Sequence, residues 1–374
     1  MGNNWAILIG INYYQHHLER QLNYAVKDAQ LMYDFLYNFG QFPREHLILC
    51  LGDKVHLNNK NYPLCSNILK LLTRDLNPNR TGKVDRLWFF FAGHGISKNG
   101  KDYLITSDSL LEDIDLRIAL AVNEVIACLR KHQDAEIVLI LDCCRQIVGS
   151  RYFGNAIREK NLGLTKNSGI TTIFSCEYGE FSHELDNKKH GSFTYSLVEG
   201  LKQHTLPVQL EKYLQLHVPN LNAEDGKSIN QTPRIRIDSI SKIHDFLLPE
   251  CATISDINEI IKIAKNEELK KCFEEAKSLY QKVIEVPRSE EEIISAKELA
   301  KKAIERIEKN TNQILKQDDF QKSSRENKKQ NSLEPIPNLN NIEDMNPDEW
   351  INQRKFRIPS LWNKIIRFIF DEDD

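Results

Sequence analysis

RLWFFFAGHG at residues 86–95 and EIVLILDCCR at residues 136–145 are the two stretches that decide the fold. Each is apolar along most of its length and ends in polar, chemically reactive side chains, a pattern typical of a parallel strand buried on both faces. In an open α/β sheet, functional groups collect just beyond the carboxyl ends of the strands. We therefore expect His94 and Cys144 to meet at one sheet edge, as the base and nucleophile of a cysteine hydrolase.

Strand and helix patterns alternate outward from these two stretches over residues 1–248. The segment 234–238 also alternates and predicts a late edge strand or an extended segment. This alternation predicts one three-layer α/β domain with a mostly parallel central sheet. The other predicted strands are 5–11, 46–51 and 170–176, and the predicted helices are 23–39, 64–76, 116–130 and 192–202.

The composition changes after residue 248, and three further segments are predicted. Residues 249–310 are rich in Glu, Lys, Ala, Ile and Leu and predict a C-terminal helical appendage, a hairpin broken at Pro287. Residues 311–349 are rich in Asn, Gln, Lys and Ser and predict a disordered linker. Residues 350–374 mix aromatic and basic side chains and predict a short amphipathic helix. Such a helix folds back on its own domain, docks on a partner or lies on a membrane surface.

Charge and cysteine content narrow the functional classes. The 374-residue chain has a net charge of −3, so no global basic field points to nucleic acid. Its 8 cysteines show no CxxC spacing, which favours reduced thiols in a cytoplasmic protein over a disulfide framework or a zinc site. The first residues lack the features of a signal peptide, and no apolar run is long enough to predict a transmembrane segment.

Seven short motifs occur in a recognisable order over about residues 1–236. They are AILIGIN at 6–12, KDA at 27–29, FAGHG at 91–95, YLITSD at 103–108, DCC at 142–144, FSCE at 174–177 and GSFTY at 191–195. In these motifs the chain resembles the caspase-like cysteine proteases, and is most similar to the bacterial metacaspases, also called orthocaspases. The fifty residues from His94 to Cys144 match the spacing of caspases.

The resemblance implies a caspase-like fold and an endopeptidase. It implies Cys144 as the nucleophile, His94 as general base and acid, and the backbone N–H of Gly95 as an oxyanion donor. Strand parity agrees that only one of two adjacent cysteines can approach the imidazole, so Cys143 is expected in the core. Taken alone, Cys144 would be interpreted as a buried thiol and His94 as a turn residue.

Substrate specificity is predicted from two acids. Asp142 shares strand parity with Cys144, and the resemblance places a second pocket acid at Asp28. Two carboxylates in one pocket favour Lys or Arg and reject an acidic side chain, so we predict cleavage after Arg or Lys. Taken alone, Asp28 would be interpreted as an exposed helix residue, and Asp142 as a hydrogen-bonded structural acid at the end of a strand. Acidic specificity and a caspase-like adaptor that does not cleave remain alternatives.

Several features lie outside the family pattern or stay open. Metacaspases usually carry His-Ser-Gly after the nucleophile, where this chain has RQI at 145–147, and often a Cys where it has Ala25. The polar loop 149–169 is a hypothetical site of self-cleavage. Many metacaspases need calcium, but the acidic cluster of this chain lacks EF-hand spacing, so no metal or cofactor is assigned. That cluster is Asp108, Glu112, Asp113 and Asp115.

The cellular role is implied by the resemblance alone. It points to stress, cell-death or defence signalling, with protein or peptide substrates. A regulatory protein is expected to dock on the helices of residues 249–310 or on the segment 350–374.

Overall fold

The structure is a computed structural model in which residues 2–98, 101–110, 118–144, 146–147, 169–177, 179–239 and 242–330 are described. For residues 97–98, 146–147 and 312–330 only the backbone is described. The strands in this part of the chain are β1 (Asn4–Ile11), β2 (Leu47–Gly52), β3 (Arg86–Ala92), β4 (Gly95–Lys98), β5 (Lys101–Leu104), β6 (Leu120–Ala121), β7 (Glu136–Asp142), β8 (Gln146–Ile147), β9 (Ile170–Phe174), β10 (Glu184–Leu185), β11 (His190–Gly191) and β12 (Arg234–Ile237).

The central sheet has six strands in the order β12-β9-β7-β3-β1-β2. All neighbours are parallel except β12, which runs antiparallel to β9 as an edge strand. The predicted α/β class with a mostly parallel sheet is therefore confirmed. In the register of β3 with β7, Ala92 lies opposite Asp142. His94 and Cys144 thus each follow this pair by two residues, which brings both to the same edge of the sheet.

Helices cover both faces of the sheet, as the three-layer prediction requires. They are α1 (Ala25–Asn38), α2 (Cys65–Lys70, continued by a π turn at Leu71–Asp75), the short α3 (Pro78–Thr81), α4 (Val122–Leu129), α5 (Ser192–Leu201) and α6 (Pro207–Glu224). One core cluster contains apolar residues of α2, α4 and alternate strand positions such as Phe89 and Leu139. The other contains residues of α1, α5, α6 and the intervening positions such as Phe90 and Ile140.

Two elements differ from the sequence expectation. The helix predicted at 116–130 begins only at Val122, because Leu120 and Ala121 pair with β5 as β6 in a small sheet of order β6-β5-β4-β8. The helix α6 was not predicted at all. It begins with Pro207, a favourable first helical residue, but Pro219 inside it interrupts the pattern that sequence reasoning relies on.

Three helices follow the α/β core: α7 (Ile254–Leu269), α8 (Phe273–Glu285) and α9 (Glu291–Gln330). The hairpin was predicted with one helix before Pro287, and the structure has two, α7 and α8. The first of them ends because Lys271 adopts a positive φ of 64°. Helix α9 also extends through 311–330, where a linker was predicted, since its Lys, Glu and Gln are good helix formers. The expected aromatic segment 350–374 lies outside the described residues.

Residues 1–309 form one compact unit, and residues 310–374 are grouped as a second. Within the first unit, Leu206 and Phe246 share a hydrophobic cluster with α7, α8 and α9. The buried carboxylate of Asp256 reinforces this contact, because its Oδ2 accepts bonds from Thr205 and Thr253 at 3.1 Å. The boundary proposed at residue 248 stays a prediction. Among the described residues, no helix is long and apolar enough to cross a membrane.

Candidate active site

A hollow of about 60 Å³ lies at the carboxyl edge of the parallel sheet. Asp28, His94, Asp142 and Cys144, which were selected from the sequence, all line it. The structure therefore brings these four side chains together from α1 and from the ends of β3 and β7. The other residues that line the hollow are Leu22, Ala25, Ala92, Gly93, Ser182, His183, Glu184 and Gly191.

The imidazole of His94 is oriented by the backbone on one side. Its Nε2 lies 2.7 Å from the carbonyl oxygen of Arg20, so Nε2 carries the proton and donates, which leaves Nδ1 as the basic nitrogen. The backbone N–H of His94 donates to the hydroxyl of Tyr14 at 2.8 Å, and the two rings lie 4.8 Å apart. Burial lowers the pKa of His94, so the ring is neutral and able to accept a proton near neutral pH.

The thiol of Cys144 faces the same hollow and contacts the loop before β10. The backbone N–H of Ser182 donates to Sγ at 3.4 Å. Burial raises the pKa of the Cys144 thiol and the nearby Asp142 carboxylate raises it too, while the Ser182 bond acts in the opposite direction. With no substrate bound, the thiol is therefore protonated, and a base is needed to generate the thiolate nucleophile.

Cys143 and Gly95 are the neighbours of Cys144 in the chain and in space, respectively. Cys143 is buried in the core cluster of α2 and α4, and burial raises its pKa well above the usual range. A Cβ at Gly95 would come within 2.7 Å of the Cys143 sulfur and 2.9 Å of the Cys144 carbonyl oxygen. Only glycine lets β4 approach the backbone of Cys144 and the side chain of Cys143 this closely. Gly95 lines a smaller neighbouring cavity of about 10 Å³ with both cysteines.

Asp142 is held at the end of β7 by two hydroxyl groups. Ser182 Oγ donates to its Oδ1 and Thr194 Oγ1 to its Oδ2, both at 2.6 Å. Burial raises the pKa of Asp142, whereas these hydroxyl donors act in the opposite direction. The carboxylate is therefore fixed in orientation, with its remaining acceptor capacity available to a group that enters the hollow.

Asp28 is an almost fully buried residue of α1, not the exposed helix residue considered from the sequence. Its Oδ1 lies 2.9 Å from Nδ1 of His190, and both carboxylate oxygens accept from the backbone N–H of Gly191 at 3.0 Å. Burial raises the pKa of Asp28 to about 7, and the nearby Asp142 carboxylate also raises it.

Gly191 separates the two pocket acids. A Cβ built there would lie 3.0 Å from Oδ2 of Asp28 and 3.0 Å from Oδ2 of Asp142. Those two oxygens are therefore at most about 6 Å apart, and the space between them stays open because residue 191 has no side chain. Like charges so close in a buried site repel each other, which makes a cation between them favourable.

Glu184 is a third acid of the hollow that sequence reasoning missed. Its carboxylate accepts from the backbone N–H groups of Asn23 (2.9 Å) and Tyr24 (2.6 Å), just before α1 begins. It thus brings β10 against the start of the helix that carries Asp28. No apolar run or motif marks Glu184 in the sequence, because β10 is only two residues long.

Asp108, the described member of the predicted acidic cluster, does not line this hollow. Asp108 is a structural acid whose Oδ1 accepts from Cys65 N at 2.9 Å and from Thr106 Oγ1 at 2.7 Å. Residues 112–115 of the acidic cluster, Arg145 and almost all of the loop 149–169 lie outside the described residues. Within the described part of the chain, no group of three or more His, Cys, Asp or Glu is arranged to hold a metal ion.

Comparison with known proteins gives one family model, one relative and one solved structure. A family model described as "Caspase domain" matches residues 3–242. The paracaspase of Dictyostelium discoideum is 32% identical over 114 residues, which are 30% of this chain. The chain spans only 26% of the length of that relative. The crystal structure of caspase-1 from Spodoptera frugiperda superposes with a TM-score of 0.42 at 13% identity, covering 64% of this chain and 88% of caspase-1.

Proposed function

This chain belongs to the caspase-domain family of cysteine peptidases, and from that premise we propose that it is an endopeptidase that cleaves proteins after Arg or Lys. The single observation that carries the proposal is the shared hollow. A thiol and an imidazole from adjacent strands line it together with the carboxylates of Asp28, Asp142 and Glu184. Nucleophile, base and a cation-binding pocket are the parts that this reaction needs.

The imidazole and thiol support a general-base mechanism. The Nδ1 of His94 accepts the proton of Cys144 as the sulfur attacks the scissile carbonyl carbon. The resulting oxyanion would be stabilised by the backbone N–H of Gly95, a role implied by the family. His94 then gives the proton to the leaving amine, and a water molecule, deprotonated by the same Nδ1, hydrolyses the thioester. The Arg20 carbonyl keeps Nε2–H in place throughout, so one ring nitrogen performs every proton transfer.

The charge of the hollow supports basic specificity. Three carboxylates line it, and none of the described residues that line it is Lys or Arg. A guanidinium or ammonium group of the substrate residue before the scissile bond (P1) can bind between Asp28 and Asp142, where each acid is already oriented by its own donors. An acidic side chain would lie among three carboxyl groups, with no Lys or Arg in the described lining of the hollow. The alternative of acidic specificity is therefore disfavoured.

The adaptor alternative is disfavoured by the chemistry of the site. A protein that only binds does not need a thiol and a neutral imidazole in one hollow, and both residues line the hollow here. We further propose, from the resemblance to metacaspases, that cleavage serves stress, cell-death or defence signalling. The helices α7 to α9 are the proposed docking region for a regulatory protein.

A panel of fluorogenic peptides ending in Arg, Lys or Asp tests this proposal. Wild type and Cys143→Ala are expected to release the fluorophore after Arg and Lys, whereas Cys144→Ala is expected to be inactive. Cys143→Ala is the matched control because it removes the adjacent, buried thiol. Equal cleavage by wild type and Cys144→Ala would refute the mechanism. Preference for Asp would refute the specificity while leaving the nucleophile in place.

A further inference from the structure

The three pocket acids differ in whether the groups that donate hydrogen bonds to them are ionisable. Asp142 is held by hydroxyl groups, and Glu184 by backbone and amide N–H groups, none of which titrates near neutral pH. Asp28 is held by a backbone N–H and by the imidazole of His190. Among the donors named here, His190 is therefore the one whose side chain is an ionisable group.

We propose that His190 is a positioning residue that shares one titratable proton with Asp28, and that a basic P1 side chain displaces this proton when it binds. The inference rests on the proposed specificity and deepens it. It makes binding of Arg or Lys a proton-exchange reaction, in which one positive charge enters the hollow and one leaves. The affinity for a basic P1 residue is then set by pH through this pair.

The geometry of the pair supports the exchange. His190 Nδ1 and Asp28 Oδ1 are 2.9 Å apart, so a proton between them is held by both groups. The carboxylate is almost fully buried, whereas the imidazole is 21% exposed and can pass the proton to solvent. After the proton leaves, neutral His190 still donates Nδ1–H to ionised Asp28. The bond that orients the acid is thus kept in both states.

The surrounding charges explain why an empty hollow retains the proton. The Oδ2 atoms of Asp28 and Asp142 are at most about 6 Å apart, and Glu184 adds a third carboxylate. A proton on the Asp28–His190 pair relieves this repulsion until a substrate cation takes over the same function. Burial, with help from Asp142, holds the pKa of Asp28 at about 7, while His190 acts to lower it. The other titratable groups around the pair are His94, Cys144 and His183, which line the hollow, and Tyr195, whose ring centroid lies 6.3 Å from that of His190. Lys27 precedes Asp28 in the chain and lies over the Tyr24 ring, and Lys188 lies over the Tyr195 ring.

Calorimetry of a P1 mimic tests the exchange without catalysis. Arginine amide is titrated into the full-length Cys144→Ala protein in two buffers of different ionisation enthalpy, which yields the number of protons released. We expect about one proton at about pH 6 and almost none at about pH 8.5. Adding His190→Gln to Cys144→Ala should move the pH at which proton release is half-complete to a higher value. Binding of arginine amide at about pH 7 should weaken several-fold. His217→Gln, a histidine bonded to the Tyr213 carbonyl on α6, is the matched control and should change neither value.

The outcomes separate this inference from the proposed function. If arginine amide binds with no proton release at any pH, or if His190→Gln leaves the transition unchanged, the inference is wrong while basic specificity stands. If arginine amide does not bind at all, the basic pocket and the inference fail together. If His190→Gln does not fold, proton release by the parent protein still decides whether exchange occurs. In wild-type kinetics the same coupling predicts that KM for an Arg reporter rises up to about tenfold per pH unit on the acid side.

Discussion

Replacing Asp28 by Asn should stabilise the protein at alkaline pH while it removes the substrate pocket. The native carboxyl has a pKa of about 7, against an ordinary value of 3.8 in the unfolded chain, because burial disfavours its charge. Between these two values the unfolded chain has released the proton that the native state retains, so stability falls as pH rises. Above about pH 7 the native state carries a buried charge that water would solvate in the unfolded chain.

The magnitude follows from the difference of about three pKa units. Each unit corresponds to about 1.4 kcal/mol, so the buried charge costs at most about 4 kcal/mol above pH 7. An Asn side chain keeps an oxygen for the N–H groups of His190 and Gly191 and offers an amide donor toward Asp142. Its stability advantage over Asp28 should therefore grow by roughly 2–3 kcal/mol between about pH 5 and about pH 8.5.

Urea denaturation followed by tryptophan fluorescence at the two pH values measures this advantage. Asp34→Asn is the matched control, since it removes an exposed carboxylate from the same helix and should show no such pH dependence. Cleavage after Arg should fall at least tenfold in Asp28→Asn only. If Asp28→Asn is less stable than wild type by the same amount at both pH values, the acid is a structural hydrogen-bond acceptor and the reasoning fails.

Three further substitutions test other parts of the site and fold. Gly191→Ala places a methyl group 3.0 Å from the carboxylates of both Asp28 and Asp142. We expect KM for an Arg reporter to rise about tenfold, which corresponds to ~1.4 kcal/mol of lost binding, with kcat less affected. An unchanged KM would contradict the pocket assignment. Tyr14→Phe leaves the backbone N–H of His94 without its acceptor, so kcat should fall more than KM changes, and stability should drop by about 1–3 kcal/mol in urea. Asp256→Ala removes the acceptor of four hydrogen bonds from two threonines and should destabilise the protein by about 2–4 kcal/mol, with kcat/KM of the folded protein preserved.

Much of the sheet could be predicted from the sequence because its signals are local. The strands β1, β3 and β7 are apolar along most of their length, and β9 is apolar except for Thr171 and Thr172. A parallel strand buried on both faces has such a composition. The register of β3 and β7 then brings the residues after their ends to one edge, as expected for His94 and Cys144. The alternation of strand faces also separated Cys143 from Cys144 correctly, since Cys143 is in the core.

Other elements could not be predicted because their stability is not local. The strands β10 and β11 have two residues each, too few for any periodicity, and are formed by pairing with each other. The strand β6 ends the predicted helix early because β5 offers it backbone partners. The break at Lys271 depends on one positive φ angle in a Lys-rich segment whose composition suits a continuous helix.

The sequence by itself determined the buried parallel sheet, the face on which Cys143 packs, and the edge at which Cys144 and His94 both lie. These features depend on apolar runs and on where each run ends. Only the tertiary structure decided what surrounds them. The burial of Asp28, its contact with His190 and the third acid at Glu184 depend on segments about 160 residues apart in the chain. A carboxylate has no preferred partner in its own stretch of sequence, and its charge state is set by whichever groups folding packs against it.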